Sequence, residues 1–309
     1  MNEISVYITS FNQKKFLSES IESVLYQTLI PDEILIIDDC STDGSQTLIK
    51  EYRDRNSDLI KCIFHKSNKG IVYTRNEAND NLSGRYISFL DGDDIYEKEK
   101  IEKEFMLLKS DRNINFVISN FHNINEDGEI LRIWADSENH LNQFISDPVT
   151  CLLSLNFPLK TPFRFELFDR DIIKNISYDR SLKIWEDLDF RIQYSENINP
   201  AYIHEPLSRY RRISNSLSNN QDLHFTSVRY IFKKHKELLH NKSLVKKLKV
   251  KISQYKILSG FLLNETKNNL SEFKFSKALR NFIKSMFYWP LPNRSFLIFM
   301  VKFILGRKP

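Results

Sequence analysis

Apolar runs alternate with amphipathic stretches along the first part of the chain. Ile4 to Thr9 reads as a strand that Ser10-Phe11-Asn12 leaves. Leu17, Ile21, Val24 and Leu25 then recur at helical spacing. Pro31-Asp32 breaks the chain, and Glu33 to Ile37 forms a second strand running into Asp38-Asp39. Its near-continuous apolar run is typical of strands covered on both faces. Ser41-Thr42-Asp43-Gly44 is a turn and helix start, because Ser and Asp accept from free backbone N–H groups, and Leu48, Ile49 and Tyr52 continue that helix.

The same reading predicts a third strand over Ile60 to His65, a loop and short helix over Gly70 to Asn81, and a fourth strand over Tyr86 to Leu90. It adds a helix over Glu97 to Lys109 and a fifth strand over Asn115 to Asn120. Glu126-Asp127-Gly128 reads as a hairpin turn between Phe121–Ile124 and Ile130–Ile133. Strand and helix alternation implies an α/β fold with a mainly parallel, doubly wound sheet. Beyond Asp222 the pattern is helical, with lysines interleaved among apolar positions.

In such sheets ligands bind at the carboxyl ends of the strands. Two acid clusters fall there: Asp38-Asp39 after the second strand, and Asp91-Gly92-Asp93-Asp94 after the fourth. On its own the second cluster also reads as an acidic surface turn, since Asp and Gly are common in turns. Two clusters at one sheet edge favour a site. Packed carboxylates cost stability unless a cation or donor groups neutralise them. Oxygen-rich sites of this kind suit Mg²⁺ or Mn²⁺, which often hold phosphates.

Charge changes the picture of the C-terminal part. The whole chain carries 45 Lys/Arg against 40 Asp/Glu, a net +5. From His224 onward there are 19 Lys/Arg against 3 Asp/Glu, a balance of +16; the 223 residues before it hold 26 and 37, a balance of −11. The expected organisation is a catalytic domain over 1–222 and a basic helical region over 223–309. Cys40, Cys62 and Cys151 form no CxxC pair, which argues against a disulfide framework or zinc site and for a reducing cytoplasm. No secretory signal pattern opens the chain. Phe296 to Leu305 is apolar except for Lys302, too short for a bilayer span of about 20 residues. With the aromatic and basic residues upstream it suits a helix lying in a membrane interface. A helical cap packed on the catalytic domain explains the same tail.

No G-x-G-x-x-G follows the first strand, and no Walker loop, HExxH or GxSxG is present. What remains is a nucleotide-and-metal site built from acids at strand ends. Here the motifs resemble a known family. Val6 to Asn12, Ile21 to Thr28, Ile36 to Gly44, Asn68-Lys69-Gly70 with Thr74-Arg75-Asn76, and Phe89 to Asp94 look like successive pieces of the family-two inverting glycosyltransferases. Trp185-Glu186-Asp187-Leu188-Asp189-Phe190 is similar to that family's later acidic motif. The resemblance covers about residues 4 to 218.

It implies the nucleotide-diphospho-sugar transferase (GT-A-like) fold and a single sugar transfer from a nucleotide-sugar, most readily a UDP-sugar, with Mn²⁺ or Mg²⁺. Thr9 is expected against the base and ribose, with Asp39 accepting from the base ring. Arg75 is expected near the base or phosphates, or paired with nearby acids. Asp91 would approach the ribose or metal, Asp93 would coordinate the metal, and Asp94 would assist. Asp38 is expected to hold backbone N–H groups. Asp187 is the expected general base, with Glu186 and Asp189 as rivals. Many members carry a His where Ile213 stands, so that residue's metal or phosphate contact is either absent here or replaced by Arg211 or Arg212. The Q-x-x-R-W motif of processive synthases is missing, which favours a single addition over polymerisation. The implied acceptor is a glycan or lipid-linked glycan of a capsule or lipopolysaccharide pathway, met in the cytoplasm or on the inner face of the cytoplasmic membrane. Two other readings remain: a sugar nucleotidyltransferase, against which the missing Gly-rich loop counts, and nucleic-acid binding by the basic tail, for which clustered acids make little sense.

Overall fold

The computed structural model describes residues 3–136, 139–213, 221–272 and 274–289; the apolar stretch 296–305 lies outside them. By internal contacts the chain divides into a unit of Met1–Leu152 with Asn156–Ser214 and a unit of Leu153–Leu155 with Asn215–Pro309.

The first unit opens with β1 (Ile4–Ser10), α1 (Lys14–Leu25), β2 (Glu33–Asp38), α2 (Ser45–Arg55), β3 (Ile60–Phe64), α3 (Ile71–Asn81) and β4 (Tyr86–Asp91). Every residue of β1 and β2 is buried, as an unbroken apolar run requires. The α2 start is built as its residue types demand: the Asp43 carboxylate accepts from the Ser45 N–H at 3.0 Å, and Gly44 takes φ 95°. Strands β3-β2-β1-β4 lie side by side in parallel. Strand order therefore reverses at β1, which opens a crevice beside its carboxyl end. Val6, Ile8, Ile34, Ile36 and Leu90 pack with Leu17, Ile21, Val24 and Ile49 into one core.

Beyond β4 the sheet becomes mixed. β5 (Ile95–Tyr96), α4 (Lys100–Ser110), β6 (Phe116–Ile124), β7 (Ile130–Ile133), α5 (Asn139–Ser146) and α6 (Pro148–Ser154) follow. Then come β8 (Leu167–Asp169), α7 (Glu186–Tyr194) and β9 (Pro200–Arg211). β8 runs antiparallel between β4 and β6, and β9 pairs parallel with β6 and antiparallel with β5. The expected fifth strand thus extends to Ile124, where the predicted hairpin forms: Gly128 N–H donates to the Asn125 carbonyl at 3.2 Å. The helix expected from Glu97 begins only at Lys100, because Ile95 and Tyr96 are drawn into pairing with Arg209 and Ser208. β9 was not foreseen; its Pro206 and alternating Arg and Tyr residues hide the strand pattern, and pairing along β6 creates it.

The second unit holds α8 (Gln221–Lys234), α9 (Leu244–Ser271) and α10 (Phe275–Tyr288). Phe225 and Tyr288 meet edge to face at 5.5 Å, and the Gln254 amide donates to the Leu153 carbonyl at 3.1 Å.

A buried charge pair fixes α4 in the first unit. Lys100 and Glu104 are both fully buried and bonded to each other. Lys100 Nζ also donates to the Phe165 carbonyl at 2.7 Å, and Ser119 Oγ donates to Glu104 at 2.7 Å. Removing one partner strands the other charge, whereas replacing both with apolar side chains does not. Lys100→Ala should cost about 3–5 kcal/mol in urea unfolding, and Lys100→Met/Glu104→Leu far less.

Candidate active site

Register at the carboxyl ends of β1, β2 and β4 brings the first acids together: Ser10 lies opposite Asp38, and Thr9 opposite Asp91. Gly92 lets the chain turn directly over β1. Its N–H donates to the Thr9 carbonyl at 2.8 Å, and an added Cβ would stand 2.9 Å from that oxygen.

Asp38 is fully buried and accepts from Ser41 N–H (2.8 Å), Ser10 Oγ (3.0 Å) and the Gln46 amide (2.8 Å), the structural part expected of it. Asp39 accepts from Lys69 N–H, Gly70 N–H and His65 Nδ1, each at 2.7 Å. A carboxylate offers about four acceptor positions, so Asp39 keeps one for a further N–H donor. His65 also meets Glu77 at 2.5 Å, a link invisible in sequence.

Thr9 Oγ1 donates to Asp91 at 2.9 Å. Arg75, 5% exposed, donates to both oxygens of Asp91 (3.0 and 3.2 Å) and to Glu186 (2.9 Å). It pairs with nearby acids, one of the two places expected for it, and ties the acids of β4 to the acidic motif of α7. Burial raises the Asp91 pKa, but the Arg75 and Arg164 charges outweigh it and hold it below the usual carboxylate value. Asp93 is partly exposed, and loss of hydration with the Asp91 charge pushes it up to about 6. Asp94 is fully buried and raised well above the ordinary value by burial and its two acidic neighbours; its Oδ1 accepts from Arg211 N–H at 2.7 Å and its Oδ2 has no partner.

Among the described residues, no three His, Cys, Asp or Glu side chains converge to hold a metal ion. Mg²⁺ and Mn²⁺ sites, however, commonly take one or two carboxylates and complete their shell with substrate phosphates and water. Asp93, partly exposed and raised by loss of hydration and then by the Asp91 charge, fits that arrangement.

The later motif forms the first turn of α7, where acids favour the helix dipole. Trp185 turns the chain into it in a left-handed conformation, φ 63°. Arg191, one turn on, grips Glu166 through two nitrogens (2.8 and 3.0 Å) and Asp187 through a third (2.7 Å). Burial raises the Asp187 pKa, yet Arg191, Arg164 and Arg75 bring it below normal; burial and the Asp187 charge push Glu186 up. The Asp187 side chain is 23% exposed and Glu186 11%. Asp189 is fully buried and accepts from Gln193, so of the three acids it is the least open to solvent. Arg211 is likewise structural: it donates to the carbonyls of Asp93 (2.8 Å) and Glu126 (2.9 Å) and pairs with Glu19 (2.6 Å).

A family model, Glycosyl transferase family 2, matches residues 5–171. The chain belongs to this family. An Escherichia coli relative, UDP-Glc:alpha-D-GlcNAc-diphosphoundecaprenol beta-1,3-glucosyltransferase WfgD, is 31% identical over 221 residues, which are 71% of this chain and 80% of that protein. S. aureus TarS 1-349 in complex with UDP-GlcNAc aligns over 99% of this chain and 92% of its own, at 15% identity and a TM-score of 0.58. The mannosyltransferase PcManGT from Pyrobaculum calidifontis, in complex with GDP-Man and Mn2+, covers 99% of this chain and 88% of its own at 10% identity and a TM-score of 0.57. The protein is a glycosyltransferase with the GT-A-like fold that the motifs implied.

Two arginines that sequence reading passed over bear on these acids. Arg164 acts electrostatically on Asp91, Asp94 and Asp187, and its only sequence signal is a cation between Phe163 and Phe165. Arg191 was legible as the i+4 partner of Asp187.

A raised Asp93 pKa has a definite sign. Its stabilising share is present below the unfolded value near 3.8 and is lost as pH rises through about 6. Asp93→Asn should therefore gain stability over the parent protein between pH 4 and 7, by on the order of 1–2 kcal/mol, in urea midpoints measured without divalent metal.

Proposed function

We propose that the enzyme is a metal-dependent, inverting transferase that moves one sugar from a UDP-sugar to a hydroxyl of a lipid-linked glycan, in surface-glycan synthesis. The observation that carries this reading is Arg75, which joins Asp91 to Glu186 and so gathers strand-end acids and the α7 acids around one crevice. In this reading Thr9 and Asp39 face the base and ribose. Asp93, with Asp91 beside it, would hold the cation, which would supply charge stabilisation to the leaving diphosphate. Asp187 takes the proton of the acceptor hydroxyl while that oxygen attacks the anomeric carbon. The bond to the diphosphate breaks on the opposite face, the nucleoside diphosphate leaves with the electron pair, and the anomeric configuration inverts. Exposure supports Asp187 over Glu186, since a base must first reach its proton. Glu186 holds Arg75 instead.

The UDP-Glc donor and diphosphoundecaprenol carrier in the name of WfgD support the donor and acceptor classes. A basic second unit supports peripheral attachment to the inner face of the cytoplasmic membrane. Leu244, Val245, Leu248, Ile252 and Tyr255 form an exposed stripe along α9 at helical spacing, and Leu279, Ile283 and Phe287 are exposed on α10. No helix among the described residues is long and apolar enough to cross a membrane.

Asp187→Asn should keep UDP-sugar affinity and lose transfer by about 10²–10⁴-fold; near-normal turnover would move the base to Glu186, which Glu186→Gln then checks. Asp93→Ala should abolish the Mn²⁺-dependent part of UDP-sugar binding in calorimetry. Undiminished Mn²⁺-dependent affinity would refute its ligand role.

A further inference from the structure

Asp39 directly follows β2 and His65 directly follows β3, two strands paired in parallel. The His65 N–H donates to the Asp38 carbonyl at 2.9 Å, which carries the pairing one residue past β3. The imidazole thereby lies beside the carboxylate, and Nδ1 meets Asp39 Oδ1 at 2.7 Å. On its other side Nε2 meets Glu77 of α3 at 2.5 Å. The imidazole is 1% exposed, and the Tyr73 ring stands edge-on to it with centroids 5.5 Å apart. Lys69 Nζ covers that Tyr73 ring at 4.1 Å.

The two oxygens of Asp39 are unequally used. Oδ1 accepts from His65 Nδ1 and from Lys69 N–H; among the described residues Oδ2 accepts from Gly70 N–H alone. Gly70 holds φ 85°, a left-handed turn that brings two successive N–H groups to one carboxylate. Each carboxylate oxygen offers about two acceptor positions, so the open one lies on Oδ2. An ionised carboxylate only accepts, and both ring nitrogens of a histidine donate only in the imidazolium form. A buried imidazolium needs fixed partners, and Glu77 supplies the second. With Nδ1 donating, Asp39 presents Oδ2 as an acceptor and carries no donor of its own.

Such an atom separates two nucleobases of almost equal shape. Uracil carries an N–H at ring position 3, whereas cytosine has a bare acceptor nitrogen there. A site built to pair a ligand N–H strongly rejects the analogue that lacks it. We propose that His65, braced by Glu77, is a positioning residue that fixes Asp39 with Oδ2 open and so selects uracil over cytosine. The inference rests on the reading above that Asp39 faces the base, and it adds the pair that makes Asp39 selective. α3 then serves both ends of the crevice, through Glu77 at His65 and through Arg75 at Asp91 and Glu186.

Calorimetry of the full chain with UDP and with CDP, in excess Mn²⁺, tests the pair. The two ligands share ribose and diphosphate, so the ratio of their Kd values isolates the base. The parent protein should prefer UDP by about tenfold or more, the worth of a hydrogen bond to a charged group. At position 65 an Asn amide falls where Nδ1 stands and a Gln amide where Nε2 stands. His65→Asn should therefore keep most of the preference, and His65→Gln should lower it by about tenfold. Glu77→Ala, at a partly exposed position, should lower it by less, and it decides alone if the His65 variants fail to fold. Asp39→Asn should abolish the preference, because its amide can donate to cytosine. No UDP preference in the parent protein, an unchanged ratio in His65→Gln and Glu77→Ala, or equal loss in His65→Asn and His65→Gln would overturn the inference. A ratio unchanged in Asp39→Asn takes the base away from Asp39 and overturns the donor reading as well. Loss in Asp39→Asn with no change in the other variants overturns the role of His65 alone.

Discussion

The Arg75 guanidinium is the interaction on which the site depends. It is almost wholly buried and bonded to Asp91 on one side and Glu186 on the other. Without it two carboxylates would face each other in a dehydrated crevice, and removing one partner of a buried pair typically costs about 3–5 kcal/mol. Arg75 also stands over the rings of Phe89 and Tyr178 at 5.5 and 5.8 Å, so packing fixes its plane as well as its charge. A residue of α3 thereby decides how the end of β4 meets the start of α7.

Around this bridge, buried cations set the position of the acids while leaving some of them open. Arg191 clamps Glu166 and Asp187, Arg211 threads its nitrogens onto the carbonyls of Asp93 and Glu126, and Lys100 ties α4 to the Phe165 carbonyl. Each is satisfied by fixed partners, as buried charges must be. Asp93 and Asp94 on one side, and Arg164 and Asn123 on the other, are less completely matched.

Most of the first four strands and helices were legible because their signals are local: unbroken apolar runs for β1 and β2, helical spacing in α1, and Asp43-Gly44 at the start of α2. The acids were legible because they end strands. Asp189 and Arg211 carried the same chemical signals as Asp187 and Arg212, yet the fold turned the first pair inward. Residue type cannot report that, since orientation follows from neighbours distant in the chain.

By itself the sequence determined the parallel α/β start, the two acid clusters at one sheet edge and the family whose motifs they form, because each depends on short-range pattern. Tertiary structure alone decided the mixed far half of the sheet, where β9 becomes a strand only by pairing with β6 and β5. It also decided that Arg75 spans Asp91 and Glu186 and that Asn123, Arg164 and Arg212 meet at Tyr210. Those contacts join segments far apart in sequence, and long-range pairing of charge and hydrogen bonds leaves no periodic trace along the chain.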